Sequence, residues 1–405
     1  MIMKKLSGLK LLSMLIIIIA LASACTRKDN LTGDNWSGIG PQIAVSDSFN
    51  LAYSYQHEGK VKGTEGYILC GSEDGITAVS VLRFTGLQEE MTVIEQPTLK
   101  IVATRRSPLE TRSPLELSFH KLNQNWAPDS TDLISDANIT PLDIPDYVVA
   151  DSVSSLGDTL TVNISADIIQ NWKTTDVTGF NLVIKAEEDG WLEFKANELA
   201  NGALLTFKYR VPDDTTTYTY NQRAYKDSYR ITGTQDNIED DLKLKNLRPE
   251  RMYLKYTLPN SMFVDTLGNE LNATERKRMT INKAELILFV KDNPYYENTV
   301  CYFYPYRVKA DTLAAPTVLT DSDLEAVAYT YSSGTKITAD SVKIDITAIT
   351  QGFTSADLQN NGIVIKNNAE MMNFGSVEFW HYSDAPAGKK PYVKIYYTIP
   401  FLKGD

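Results

Sequence analysis

Alternating apolar and polar residues run through most of this chain in segments of about five to eight residues, bounded by turn-forming residues. Successive side chains of a strand point to opposite faces, so this period of two predicts strands with one buried face. The best helical spacing is in SADIIQNW, where Ile168, Ile169 and Trp172 can share a face, and it predicts a short helix. The pattern predicts an all-β fold. Long connections between the strands favour a jelly-roll or Greek-key sandwich.

The longest stretch of this pattern occurs twice. The segments 161–212 and 342–400 share an alternating strand, an aromatic residue, a glycine before an apolar run, and a closing strand that ends in proline. Gly179 matches Gly362 at an offset of 183, and the closing prolines match at an offset of 188. A nearly constant offset indicates an internal duplication. We therefore predict two tandem, jelly-roll-like antiparallel β-sandwich domains, at residues 43–212 and 213–405.

A second similarity supports this boundary. The segment YRITGTQD, which begins at Tyr229, resembles YILCGSED, which begins at Tyr67. Residues after 213 would then begin a second copy of the first domain. Further along, KAELILFVK takes the role of PTLKIVAT, and VCYFYPYRV takes that of LELSFHKL. We therefore expect the duplication to cover nearly the whole chain after residue 42.

Residues 1–24 predict an export signal. A short basic region with Lys4 and Lys5 precedes the apolar run LLSMLIIIIALA, which is too short for a spanning helix of ~20 residues. Small residues then stand directly before Cys25, which resembles the lipobox of bacterial lipoproteins, although Leu21 lies one position earlier than in that family. The resemblance implies cleavage before Cys25 and lipid modification of its thiol. An ordinary signal peptide with a coincidental cysteine is the alternative.

Residues 25–42 are polar and show no apolar period, so we expect them to form a tether. Acyl chains on Cys25 would anchor the protein to a membrane without spanning it. The expected location is outside the cytoplasm, at a bacterial membrane and specifically the outer membrane of a Gram-negative cell.

Charge and cysteine content narrow the possible partners. The chain has 40 basic and 51 acidic side chains and a formal net charge of −11. Binding to nucleic acid needs a basic face, so we expect no nucleic-acid partner. Cys70 and Cys301 lie in strands of different halves, and a disulfide between them would have to cross the predicted domains. Two buried thiols are the alternative.

The sequence contains no motif for catalysis or metal binding. There is no HExxH, no G-x-S-x-G and no glycine-rich phosphate loop, so we expect no enzyme, cofactor or metal centre. A polysaccharide-degrading enzyme with paired carboxylates stays open, with Glu193 and Glu378 among the candidates. The three histidines lie in distant segments: His57, His120 and His381. A structural calcium ion is a further open alternative, with these ligands: Asp129, Asp132 and Asp136.

Several strand patterns resemble those of DNRLRE-type domains, which are secreted β-sandwich modules related to carbohydrate-binding modules. The similar segments are SVLRF, KAELILF, FHKLNQNW or FYPYRV, QNWKTTDVTG or QNNGIVIK, and KPYVKIYY, whereas the motif that names the family is absent. The resemblance implies jelly-roll domains that bind a polysaccharide or another surface polymer.

Aromatic side chains are the candidates for such binding, because their flat apolar faces stack on sugar rings. The candidates are Trp126 in a loop, Trp191 after a glycine turn, and Trp380 with Tyr382. We predict a membrane-anchored lipoprotein that binds a glycan or cell-surface polymer without catalysis. The alternative is a structural or assembly protein of the cell envelope with protein partners.

The lipid anchor can be tested directly. Cells that express the chain should incorporate radioactive fatty acid into it, and the Cys25→Ser variant should lose that label because it lacks the acceptor thiol. Unchanged labelling of the variant would contradict lipid modification at Cys25.

Overall fold

The computed structural model describes most of the chain after residue 40, namely residues 41–59, 61, 63, 66–87, 90–107, 115–149, 158–172, 179–186, 190–233, 238–293, 300–309, 315–327, 335–336 and 340–399. These residues confirm the all-β prediction, since they form two large antiparallel sheets, consistent with β-sandwiches. The described residues also contain three short α-helices: α1 (Ala166–Trp172), α2 (Ala273–Arg278) and α3 (Thr347–Ser355). Within the described ranges, none is long and apolar enough to cross a membrane.

The strands are numbered in chain order: β1 (Gln42–Ser46), β2 (Phe49–Gln56), β3 (Tyr67–Glu73), β4 (Ile76–Phe84), β5 (Thr92–Val93), β6 (Thr98–Arg106), β7 (Glu116–Leu122), β8 (Ile139–Pro141), β9 (Tyr147–Val148), β10 (Asp158–Asn163), β11 (Phe180–Ala186), β12 (Gly190–Lys195), β13 (Leu204–Arg210), β14 (Tyr218–Arg223), β15 (Lys226–Gly233), β16 (Ile238–Glu239), β17 (Leu242–Lys245), β18 (Glu250–Tyr256), β19 (Thr280–Asp292), β20 (Val300–Cys301), β21 (Phe303–Val308), β22 (Leu324–Glu325), β23 (Thr335–Lys336), β24 (Ser341–Asp345), β25 (Ile363–Asn367), β26 (Ser376–Phe379) and β27 (Tyr392–Thr398). Short 3-10 helices lie at Thr131–Leu133, Asp136–Asn138, Asn260–Met262 and Asp321–Asp323.

The two large sheets have the same strand order. The first runs β14-β13-β6-β12-β3-β4-β11-β7-β8, with β10 beside β6 and β15 beside β4. The second runs β1-β27-β19-β26-β17-β18-β25-β21-β22, with β24 beside β19 and β2 beside β18. These orders match position by position, so one topology is used twice.

Each sheet folds back on itself at one shared strand. In the second sheet, the N-terminal part of β19 pairs with β27 and β24, and its C-terminal end pairs with β26 after a register shift. Such irregularities bend a strand. One apolar cluster takes Leu286 and Val393 from one arm and Met252 and Ile365 from the other. The arms therefore face each other as the two layers of a sandwich. β6 has this role in the first sheet.

Two sets of consecutive strands, β1 with β2 and β14 with β15, do not belong to the sheet that their position in the sequence suggests. β1 and β2 come first in the chain, yet they pair with β27 and β18 of the second sheet. β14 and β15 follow residue 212, yet they pair with β13 and β4 of the first sheet. Each pair forms a β-arch, in which two strands joined by a short turn enter different layers. We call residues 42–56 the N-terminal arch and residues 218–233 the central arch.

The predicted boundary between residues 212 and 213 therefore does not divide the sheets. The first sheet extends to Gly233, and the second includes the N-terminal arch. The match of the Tyr229 segment to the Tyr67 segment is also corrected. β15 is the counterpart of β2, whereas the counterpart of β3 is β17. Short strands share similar residues because they all need half-buried alternation. The division into two tandem domains stays a prediction.

A covering segment shields the outside of one layer in each half. In the first half this segment consists of residues 126–139. Its Trp126 and Ile134 pack against Val81 and Val183 of the sheet. In the second half, residues 315–327 bring two leucines against a group of buried tyrosines: Leu319, Leu324, Tyr53, Tyr55 and Tyr253. These outer faces are therefore closed to solvent.

The two covering segments are also copies of each other. Residues 134–139 read ISDANI and residues 319–324 read LTDSDL, and each contains a 3-10 helix. The aspartate that begins each helix binds a buried arginine of the sheet. Asp136 pairs with Arg230, and Asp321 pairs with Arg251 at 2.7 Å. Each half thus holds its cover with an aspartate–arginine pair, although the two arginines lie on strands that are not counterparts, β15 and β18.

Cysteine pairs can test the placement of the N-terminal arch. Val45 and Lys394 are register partners on β1 and β27, and partner Cα atoms lie about 4.5–5.5 Å apart, which suits a disulfide. We expect the Val45→Cys/Lys394→Cys variant to form an intramolecular disulfide, seen as a mobility shift on a non-reducing gel. Thr206 has the matching position on β13, where it pairs with Asn221. Val45→Cys/Thr206→Cys should stay reduced. A disulfide in the second variant but not the first would contradict the arrangement.

Candidate functional site

The structure separates the sequence-predicted site residues into three groups. Cys25 lies outside the described residues. Trp126 and Trp191 are buried, with 7% and 3% of their surface exposed, so their faces are not available to a sugar. This corrects the expectation that both stack on a ligand. Trp380 and Tyr382 are half-buried at the surface.

Trp126 is buried because it belongs to the covering segment. Its indole Nε1 donates to Asn181 Oδ1 at 3.3 Å, and the same oxygen accepts from Arg83 Nε at 2.8 Å. The guanidinium of Arg83 also lies 5.9 Å from the indole ring centre. Trp126 therefore anchors the cover on its sheet.

Trp191 is buried because it joins the two halves of the molecule. Its ring stacks on Phe374, with centres 5.5 Å apart and planes 13° apart. Next to this contact, the Tyr229 hydroxyl donates to the Met371 carbonyl. The segment between β25 and β26 of the second sheet is thus packed onto the first sheet.

Trp380 keeps part of its ring accessible. It directly follows β26, and its backbone N–H donates to the Phe289 carbonyl at 2.9 Å. The Lys291 ammonium lies 5.6 Å from the ring centre and pairs with Glu378. A cation over an indole face adds about 0.5–1 kcal/mol at an exposed site.

Tyr382 has a structural role in the N-terminal arch. Its ring stacks on Phe49 of β2 at 6.2 Å between centres. The neighbouring His381 is buried, and its Nε2 lies 3.1 Å from the Ala52 carbonyl of the same strand. Residues 381–382 therefore hold the N-terminal arch in place.

Two cavities lie where the halves meet. One, of about 260 Å³, is lined by residues of the first covering segment, β15 and the β17–β18 turn, including Asp129, Asp132 and Arg248. The other, of about 210 Å³, is lined mainly by charged side chains: Asp74, Glu239, Lys243, Lys245 and Glu250. Gln56, the last residue of β2, lines both cavities. We call the two together the junction groove.

Buried acceptor oxygens in this region have no donor within the described part of the chain. They are Gln56 Oε1 and Glu250 Oε2, which belong to lining residues, and the neighbouring Asp241 Oδ1. Gln56 and Glu250 are register partners on β2 and β18. A buried acceptor without a donor costs roughly 1–3 kcal/mol.

Two carboxyl groups in or beside the groove, those of Glu250 and Asp241, have raised pKa values. Burial raises the pKa of Glu250 to about 7, although Lys243 and Lys245 act against this. Burial, together with the nearby Glu239, raises the pKa of Asp241 to about 6. For Lys243, burial acts to lower the pKa, but Glu250, Asp74 and Glu239 outweigh it and the pKa is raised. Perturbed groups in a cleft are typical of functional sites.

Two turns bring the halves together at this groove. Asp74 and Gly75 both have positive φ, as a tight hairpin turn between β3 and β4 requires. Facing them, Lys245 pairs with Asp74 at 3.5 Å. Leu247, in the turn after β17, has φ of 66°, a left-handed conformation that is unfavourable for leucine. Strain of this kind clusters at functional sites.

The other candidate chemistry of the sequence does not come together. His57 Nε2 lies 3.6 Å from Asp321, His120 contacts Ser118, and His381 holds β2. Cys70 and Cys301 are both buried, and neither forms a disulfide. Across the described ranges, no three side chains of His, Cys, Asp or Glu are grouped to hold a metal ion. Of the three aspartates considered for calcium, Asp129 and Asp132 line the groove, whereas Asp136 pairs with Arg230.

Comparisons with known proteins do not assign the chain to a family. No model of a protein family matches it, and no curated protein matches it either. The resemblance to DNRLRE-type domains therefore stays a prediction.

Sequence reasoning did not find the junction groove. Its lining residues come from distant segments and form no motif. The one local signal is the segment LKLKNLRPE, in which Lys243, Lys245 and Glu250 flank a turn. Only the pairing of β17 and β18 with β2 places these residues beside Gln56.

The raised pKa of Glu250 predicts a pH-dependent stability. The folded chain keeps a proton that the unfolded chain releases above about 4.5, so the free energy of unfolding should fall as pH rises from about 4.5 to 7. In Glu250→Gln this fall should shrink by up to about 3 kcal/mol. Urea unfolding across this pH range measures it. Glu95→Gln is the matched control, because Glu95 forms an exposed pair with Lys208. An unchanged slope in Glu250→Gln would contradict the assignment.

Proposed function

We propose that this chain is a lipid-anchored protein that binds a glycan or another cell-surface polymer without catalysis, at the junction groove. The observation that carries the proposal is the cavity of about 210 Å³ that is lined by the charged side chains of Asp74, Glu239, Lys243 and Lys245. Sugar hydroxyls can donate to the carboxylates and accept from the ammonium groups.

Trp380 extends this site along the surface. Glu378 is the register partner of Lys243, which lines the groove, and Lys291 joins Glu378 to the Trp380 ring. A polymer could therefore place one sugar unit in the groove and stack another on the indole. An accessible aromatic ring beside a few polar groups is a common arrangement for sugar recognition.

A structural or assembly role in the cell envelope is the second candidate. The burial of Trp126 and Trp191 favours it, because these two aromatic residues stabilise the fold and the junction. Its partners would be other envelope proteins, which would contact surfaces other than the groove.

Affinity electrophoresis can test polymer binding. The mature chain with Cys25→Ser should be retarded in gels that contain the cognate polysaccharide, which a glycan array identifies. Trp380→Ala and Lys243→Met should each weaken retention about tenfold, because they remove a stacking surface and a hydroxyl-binding charge. Tyr225→Ala is the control, since Tyr225 is an exposed aromatic of the central arch.

The same experiment separates the alternatives. No retention by any polysaccharide would contradict the proposal and favour the assembly role. Release of reducing ends by the chain, lost in Glu250→Gln, would show hydrolysis and contradict the absence of catalysis.

A further inference from the structure

One layer of the second sandwich carries an accessible face of mixed apolar, tyrosine and lysine side chains. The face is formed by the outward residues of β1, β27, β19 and β24. On β1, Ile43 and Val45 have 56% and 54% of their surface exposed. Across the ladder, Ile43 faces Tyr396 and Val45 faces Lys394, and the half-buried Tyr392 lies on the same face of β27. We call this surface the β1 face.

Lysines border the apolar part of this face. Lys394 lies 5.0 Å from the ring centre of Tyr396, and the exposed Lys343 lies on β24. Lys283, also exposed, pairs with Glu285 at 2.8 Å. Three lysines thus stand beside two acids, the other being Asp345, on a chain whose formal net charge is −11. The lysines of this face therefore outnumber its acids by one, although the protein as a whole is acidic.

The predicted tether leads directly to this face. Only 16 residues separate Cys25 from Gln42, the first residue of β1. Fully extended, they would reach at most about 60 Å. Because the N-terminal arch belongs to the second sandwich, the tether from an acylated Cys25 would join the protein at that sandwich rather than at the first.

We propose that the β1 face lies against the headgroup region of the phospholipid bilayer to which the chain is anchored. The proposal rests on the lipid anchor of the proposed function. Tyrosine rings suit the boundary between acyl chains and headgroups, and lysines reach lipid phosphates while their stems cover apolar surface. The junction groove is built from β2, β16, β17 and β18 of the other layer and from the first half, so both contacts can form at once.

The unlipidated mature chain tests this contact without the anchor. The Cys25→Ser chain should co-sediment weakly with vesicles of phosphatidylcholine containing a minority of phosphatidylglycerol. Ile43→Ser/Tyr392→Ser/Tyr396→Ser should reduce the bound fraction at least about fivefold, because it removes the apolar surface of the face. Tyr218→Ser/Tyr225→Ser is the matched control on the central arch, where both tyrosines are exposed. It should bind as the parent does.

A label gives an independent measurement on the lipidated chain. Cys70 and Cys301 are buried, so a new surface thiol is labelled selectively in the folded protein. A polarity-sensitive dye on Ile43→Cys should shift to the blue when the protein is reconstituted in vesicles, and one on Tyr218→Cys should not.

These outcomes decide the proposal. Equal vesicle binding by the face variant and the control, or no blue shift at Ile43→Cys, would overturn it. Loss of polysaccharide retention in the face variant, with vesicle binding unchanged, would assign the face to the polymer instead and also overturn it. Polymer binding by Cys25→Ser is measured without vesicles. If the chain binds no polymer, the vesicle experiment still shows whether the β1 face contacts a bilayer.

Discussion

Backbone pairing at the open side of the second sandwich is the constraint on which the rest of this structure depends. β27 and β18 each offer an edge, and an unpaired edge exposes a row of N–H and C=O groups. The N-terminal arch supplies both partners, and its Phe49 and Ala44 enter the apolar core. Closure by the start of the chain therefore couples the folding of the second sandwich to residues far away in sequence.

In the first sandwich, the central arch pairs with the corresponding edges, those of β13 and β4. It follows β13 directly in the chain. The two solutions differ only in where the arch lies in the chain. In both, a covering segment and an arginine–aspartate pair complete the outer layer. At the contact between the halves, Trp191 on Phe374 and Lys245 on Asp74 replace solvent with packed and paired groups. The groove is the part of this contact that stays unfilled.

The proposed membrane contact and the proposed polymer site both involve the second sandwich. The N-terminal arch and the β1 face belong to the second sandwich, and the proposed anchor would join the protein there. The groove lies between that sandwich and the first. A ligand in the groove would contact residues from both halves, including Gln56, which directly precedes the crossing from one sheet to the other. Occupancy of the groove would therefore stabilise the contact between the halves by binding the folded arrangement.

Alternation of residues and the offset near 183 were enough to predict an all-β fold and a duplication, because strand periodicity and repeat spacing are local properties of a sequence. The exchange of the arches was not predictable, since β1 and β14 have similar patterns and either would fit either edge. Burial of Trp126 and Trp191 also depended on distant partners, Asn181 and Phe374. The sequence alone determined the alternating pattern of the strands, and it predicts an export signal. Only the tertiary structure decided which strands pair, which aromatic rings stay accessible, and that Gln56, Lys243 and Glu250 meet, because these depend on contacts between residues almost 200 positions apart.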